Sequence, residues 1–225
     1  GEIIRKLAQD PGGGIGFAIC KNYDFSKIDP SGKLIRKLFK KNKNLRQNII
    51  EYQNLLQIDP SGEIINKLLK DEKSRKHIAA NKNLLKMDPS GELIRKLATD
   101  KEEYIRSAIA SREDLLEADP SGEIIRQLTK DESYVVRGYI ARNKDLLVID
   151  PSGEIIRKLV NDEHDFVRRN TANRKNLLQI DPSGEIIRKL AQDPKDRVRI
   201  VINRTYDLSK LSSNTNESLL NKGIY

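Results

Sequence analysis

Hydrophobic residues in this chain fall in a short phrase that keeps returning. Ile186, Ile187, Leu190 and Ala191 sit at i, i+1, i+4 and i+5, with the charged Arg188 and Lys189 between them. That spacing places the apolar residues on one face of a helix and turns the charges away from it. The phrase follows Asp181-Pro182-Ser183-Gly184, and the ten residues that start at this Asp recur from Asp29, Asp59, Asp88, Asp119 and Asp150. The intervals between copies are 30, 29, 31, 31 and 31 residues. A second phrase lies between copies, Val136-Arg137-x-x-Ile140-Ala141, with counterparts at Ile105-Arg106-x-x-Ile109-Ala110 and Val198-Arg199-x-x-Ile202. Each period therefore predicts two helices of roughly ten residues, too short to be stable alone in water. Each must bury its apolar face on the next copy, which is how stacked repeats hold together.

The polar residues mark where these helices start. Asp or Ser of the Asp-Pro-Ser run is expected to cap the second helix, with Pro in its first turn. Asp10, Asp71, Asp100, Asp131, Asp162 and Asp193 precede the first helix and read as its N-caps, with Lys41 in the same column. Asp100 with Glu103 has the spacing of a capping box, and Pro194 suits a first helical position. Asp24, Asn54, Asn83, Asp114, Asp145, Asn176 and Asp207, usually followed by Leu-Leu, predict a capped short turn that closes each repeat's core.

The expected fold is all-α: an alpha-solenoid of about seven helix-turn-helix repeats of ~31 residues. Residues 1–225 would form a single elongated repeat domain that begins mid-repeat, since Gly1 aligns with Gly32. Within it, 1–28 is a partial first repeat, 29–211 holds six repeats and 212–225 is a degenerate C-terminal cap. The natural protein is expected to extend further toward its N-terminus.

Composition narrows the chemistry. The chain has 5% aromatic residues, no Trp and one cysteine, Cys20, which excludes a disulfide framework and a cysteine metal site and fits a reducing, cytoplasmic setting. Cys20 shares its column with Ile50, Ala79, Ala110, Ala141 and Ala172 and is expected to be a buried filler. His77 and His164 lack ligand-spaced partners, so no metal and no cofactor is expected. Gly12-Gly13-Gly14 lacks the strand and the Lys-Ser/Thr that a phosphate loop needs. Nearly every carboxylate sits in a repeating column, whereas a catalytic pair should occur once. The chain is read as no enzyme.

Binding features are sought where copies differ. Of the net charge of +9, residues 29–58 carry +5 and residues 59–87 carry +3. Lys33, Arg36, Lys37, Lys40, Lys41, Lys43 and Arg46, with Lys67, Lys70, Lys73, Arg75 and Lys76, form a candidate basic patch for phosphate or acidic side chains. The alternative is a solvated Lys-rich face. A variable stripe runs along the first helices: Gln47, Ser107 and Arg169 follow the column arginine, and Glu51, Ser111, Arg142, Asn173 and Arg204 come four positions later. Spacing of four puts both members on one face, expected to be exposed and free to specialise, although drift on a solvent face gives the same pattern. The unchanging arginines, Arg46, Arg75, Arg106, Arg137, Arg168 and Arg199, have two readings, an Asp–Arg ladder between repeats or a row aimed at phosphates.

The run Asp131-x-x-x-x-Val136-Arg137-x-x-Ile140-Ala141-x-Asn143, followed by a helix such as Glu185-Ile-Ile-Arg-Lys-Leu-Ala191, resembles bacterial HEAT-like repeats, most closely the leucine-rich repeat variant type. The likeness covers nearly the whole chain. The unit is longer than the variant's, through its Leu-Leu-x-Ile-Asp-Pro-Ser segment, and Cys20 alone offers no counterpart to the iron–sulfur module of one variant-family member. The resemblance implies a HEAT-like superhelix that binds a macromolecule on its face. A non-catalytic scaffold for a protein partner is the leading expectation. Nucleic-acid backbone binding through residues 29–87 is the alternative. No apolar run approaches the ~20 residues needed for a membrane span.

Overall fold

Why each period folds as it does is clearest in the loop Asp-Pro-Ser-Gly. The computed structural model describes residues 2–7, 13–41, 46, 48–50, 54–59, 61–209 and 211. In each full copy the glycine sits in the left-handed region, from φ 68 at Gly32 to φ 73 at Gly184. Its amide closes a turn onto the Asp carbonyl, as Gly62 does onto Asp59 at 2.9 Å. The Asp side chain then bridges to the new helix: Asp59 Oδ2 accepts the amide of Ile64 at 2.9 Å, and Oδ1 accepts the Ser61 hydroxyl at 2.5 Å. The serine oxygen in turn accepts the amide of Glu63. Glycine is thus the N-cap, and Asp and Ser satisfy the free amides from outside it. The expected bonds from the helix amides to Asp and Ser are present, but the N-cap position itself belongs to the glycine. This also moves Pro182 out of the helix, whose first residue is Glu185, into the turn.

The second helices run through Lys33–Lys41, Glu63–Leu68, Glu92–Ala98, Glu123–Leu128, Glu154–Val160 and Glu185–Ala191. The first helices include Glu72–Ala79, Glu103–Ala110, Tyr134–Ile140, Asp165–Ala172 and Asp196–Thr205. Between them the expected short turn is a four-residue helix, as at Leu55–Ile58 and Leu146–Ile149. Asn54 caps its turn through a bond from the amide of Gln57, whereas Asn83, Asp114, Asp145 and Asn176 hold the position without a side-chain bond to the turn's amides. The repeating apolar columns are the core: Ile94, Leu97, Ile105, Ile109, Leu146 and Val198 are fully buried. All regular structure among the described residues is helical.

The chain divides into two compact units, Gly1–Ile109 and Ala110–Tyr225. Within the second, helix Tyr134–Ile140 packs on Asp165–Ala172, and that helix on Asp196–Thr205, so successive first helices form one row. Glu154–Val160 packs on Glu185–Ala191 in a second row. This sequential packing is that of an alpha-solenoid. The expected cap at 212–225 lies outside the described residues.

Charged columns hold consecutive copies together. Arg75 donates to Asp100, Arg137 to Asp162 and Arg168 to Asp193, each over a stride of 25 residues and each at 2.6–2.7 Å through Nε. The same guanidinium also donates to carbonyls of its own loop, as Arg168 does to Asp162 and Glu163. The ladder reading of this column is therefore correct for these arginines. The Asp residues, in contrast, are not uniform N-caps. Asp71 caps Glu72–Ala79, but Ser133, His164 and Lys195 occupy the cap positions after Asp131, Asp162 and Asp193. Pro194 likewise precedes the helix, and Asp100 accepts from Glu102 rather than Glu103. The ladder takes these carboxylates one turn away from the helix start.

A second set of arginines spans copies over 23 residues. Arg36 donates to the buried carboxylate of Asp59, and Arg126 and Arg157 donate to the carbonyls of Ile149 and Ile180. Where the Asp column carries Lys41, the position 25 residues earlier carries Gly16 in place of Arg. Both members of that rung are replaced together.

Candidate binding surface

Stacking consumes part of the expected basic patch. Arg36 is tied to Asp59 and Arg75 to Asp100, and Arg46 donates to the Phe39 carbonyl with its guanidinium 4.8 Å from that ring's centre. These three belong to the frame. Lys33, Lys37, Lys40, Lys67, Lys70, Lys73 and Lys76 are exposed. They fall on two helix rows, since Lys73 and Lys76 lie on the first helix Glu72–Ala79 and the others on or after second helices. Several already have company: Lys67 binds Glu63 at 2.7 Å, Lys40 lies 3.8 Å from the same carboxylate, and Lys76 sits over the Tyr104 ring. The side chain of Lys41 and all of Lys43 lie outside the described residues.

The variable stripe divides by position. Its first member is a packing site wherever a neighbouring first helix crowds it. Ser107 is buried, and so is Gly138, whose hypothetical Cβ would meet the Phe166 ring at 2.3 Å. Asn170 Nδ2 also donates to the Gly138 carbonyl at 2.9 Å. Arg169 is half-buried, its guanidinium 5.2 Å from the centre of the Phe166 ring. The expectation of uniform exposure is corrected at this member. The member four residues on is exposed at Ser111, Arg142, Asn173 and Arg204. Gln47 and Glu51 lie outside the described residues.

In the second unit this exposed member borders a cleft of about 320 Å³. Ser111 and Arg142 line it together with Tyr139, Glu113 and Lys144. The last three were not singled out from sequence. Glu113, Lys144 and Lys175 share a repeat column that changes sign along the chain, a signal open to anyone comparing copies.

Elsewhere the polar chemistry is structural. Cys20 is 2% exposed, and burial pushes its thiol up to about 11, far from the thiolate a nucleophile needs. His164 caps its helix by accepting the Phe166 amide at Nδ1, and its ring stacks on Tyr134 at 3.5 Å. Burial is the main force on Asp193; it pushes the carboxyl up, but the bonds from Arg168 and the Lys195 amide outweigh it and hold the group below its ordinary value. Among the described residues no cluster of His, Cys, Asp and Glu has the arrangement of a metal site, and no helix is long and apolar enough to cross a membrane.

No protein-family model matches the chain, and no curated protein matches it. Among solved structures, the crystal structure of an engineered protein from the Northeast Structural Genomics Consortium resembles it over 94% of this chain and 96% of that one, at 15% identity and a TM-score of 0.41.

Proposed function

We propose that this chain is a non-catalytic helical-repeat scaffold, HEAT-like and of the leucine-rich repeat variant kind, that binds a protein partner along its exposed helix rows. The observation that carries this reading is a division of labour between columns. Residues that repeat, such as Arg137, Asp162 and Gly153, are spent on stacking, whereas Ser111, Arg142, Asn173 and Arg204 differ from copy to copy and face solvent. A surface that varies on a frame that does not is suited to recognition.

Binding of a nucleic-acid backbone is the second reading. It is favoured by the exposed Lys33, Lys37, Lys40, Lys67, Lys70 and Lys73 in two consecutive repeats. Salt dependence separates the two, because each phosphate neutralised releases condensed counterions. The test pans a displayed random-peptide library on the chain and titrates labelled duplex and single-stranded nucleic acid at two salt concentrations. The scaffold reading expects enriched peptides that bind saturably, with nucleic acid weak at physiological salt. Tight nucleic-acid binding that falls steeply with salt, with no peptide enriched, would overturn it.

A further inference from the structure

Arginine is the residue by which this fold joins its copies, so an arginine left out of the joinery is informative. Among the described arginine side chains, those outside the two ladders are also engaged. Arg95 and Arg188 bind loop carbonyls, Arg112 binds Asp114, Arg174 binds the Ala141 and Asn143 carbonyls, and Arg197 and Arg199 bind Asp165 and Asp196. The side chains of Arg142 and Arg204 alone make no hydrogen bond, ion pair or ring contact to any described residue. They occupy the same repeat column, two copies apart in one unit, with the exposed Asn173 between them. Lys144 and Lys175, each two residues beyond the column on consecutive copies, are exposed and equally unpaired among the described residues.

Such a row has a ruler. Packed helices lie about 8–10 Å apart, and an extended chain advances about 3.3 Å per residue, so one repeat spans about three residues of an extended peptide. Arg142 and Arg204 would then meet side chains about six residues apart, with Asn173 opposite the middle. Arg presents a planar fork that matches a carboxylate. The cleft beside Arg142 has the half-buried Tyr139 in its wall and takes a side chain or two.

We propose that this row, Arg142–Asn173–Arg204 flanked by Lys144 and Lys175, is the docking site for an extended acidic peptide segment of a partner protein, with carboxylates recurring about every three residues. The proposal rests on the protein-binding reading and names its ligand. Charge favours a peptide over a nucleic acid here: Glu113 stands at the cleft beside Arg142, where a continuous phosphate backbone would meet it, while a peptide can place a neutral or basic residue there.

The probe is a set of fluorescein-labelled twelve-residue peptides: one with Glu at every third position among Ser and Gly, its Gln counterpart, and one with the Glu residues contiguous. A single-stranded oligouridylate is titrated alongside. The proteins are the full chain, Arg142→Gln/Arg204→Gln, and Lys96→Gln/Lys130→Gln, at two exposed lysines outside the row and the basic patch, as a control for charge at a distance. The spaced Glu peptide binds the full chain at low salt, the double arginine variant loses at least about tenfold in affinity, and the lysine control stays within about twofold. Thermal melts of all three proteins coincide, because neither pair makes a contact within the fold. Equal affinity of the full chain and the arginine variant overturns the row, as does tighter binding of the oligouridylate. If the Glu peptides fail while library-selected peptides still bind, the row is wrong and the scaffold reading stands; if neither binds, both fall.

Discussion

Arg137 reaches both oxygens of Asp162, with Nε at 2.7 Å and Nη2 at 2.9 Å, while its third nitrogen serves the carbonyls of Asp131 and Glu132. One guanidinium therefore fastens its own loop and the next copy's loop at once. Hydrogen bonding to Asp162 holds the Arg137 pKa above its ordinary value. With both side chains mostly buried, Arg137→Met removes several bonds and strands a carboxylate. We expect a loss of about 3 kcal/mol, read as a lower denaturant midpoint. Asp162→Asn should cost less on the Arg137→Met background than alone, and additive losses would show that the pair is not coupled.

Gly153 and Gly62 share a left-handed backbone but not the same surroundings. A Cβ at Gly153 would lie 2.1 Å from Ile180 Cγ2, whereas at Gly62 the nearest atom is Asn66 Nδ2 at 3.8 Å. Gly62→Ala should cost only the conformational penalty, about 1–2 kcal/mol. Gly153→Ala should cost more, and Ile180→Ala in the same chain should recover part of the difference. Equal midpoints for the two single variants would contradict this.

Aspartates held by hydrogen bonds make the fold sensitive to acid. Asp59, Asp71, Asp150, Asp181 and Asp193 all have carboxyl pKa values held below the ordinary range. A depressed folded-state pKa contributes stability that is present above the unfolded value, near 4, and is lost as pH falls toward the folded one. Stability should therefore be flat through neutral pH and fall below about pH 4. In Arg168→Met the share due to Asp193 should shrink, giving a shallower slope in urea titrations repeated between pH 5 and 2.5.

Lys33 stands where the other second helices carry glutamate, and there Glu63 pairs with Lys67 at 2.7 Å. Lys33→Glu restores that pairing with Lys37 and puts an acid in the first turn. The fold should gain a few tenths of a kcal/mol, roughly 0.3–0.5, screened by salt. A melting temperature lowered by this change at low salt would mean that Lys33 is held by something the helix does not show.

Much of this was readable from the chain because repetition averages away local ambiguity. Ile94, Leu97, Ile105 and Ile109 fall in core columns and are fully buried, and the Arg137–Asp162 pairing was one of two readings open to those columns. The helix starts were misplaced because Asp59 and Ser61 lie close enough to a helix to look like caps, while the real cap, Gly62, has no side chain to advertise it. Six invariant glycines were the available clue. Burial at Ser107 and Gly138 escaped because it depends on what the adjacent helix carries, Phe166 in the latter case. Lys41 in the Asp column is explained only when the stride of 25 residues links it to Gly16. The idle state of Arg142 had no sequence signature at all: Arg174, one residue off its column, is sealed against the Ala141 carbonyl.

The constant stride of the Arg–Asp rungs makes the copies interchangeable parts. Arg75, Arg137 and Arg168 each offer the same fork, and Asp100, Asp162 and Asp193 each offer the same socket. Unequal recombination that drops or duplicates whole periods among these copies leaves each of these Arg–Asp rungs matched, so array length can change without breaking them. The joint between Gly16 and Lys41 is keyed differently. A splice there would set an arginine against a lysine, and that mismatch confines the exchange of copies to one side of it.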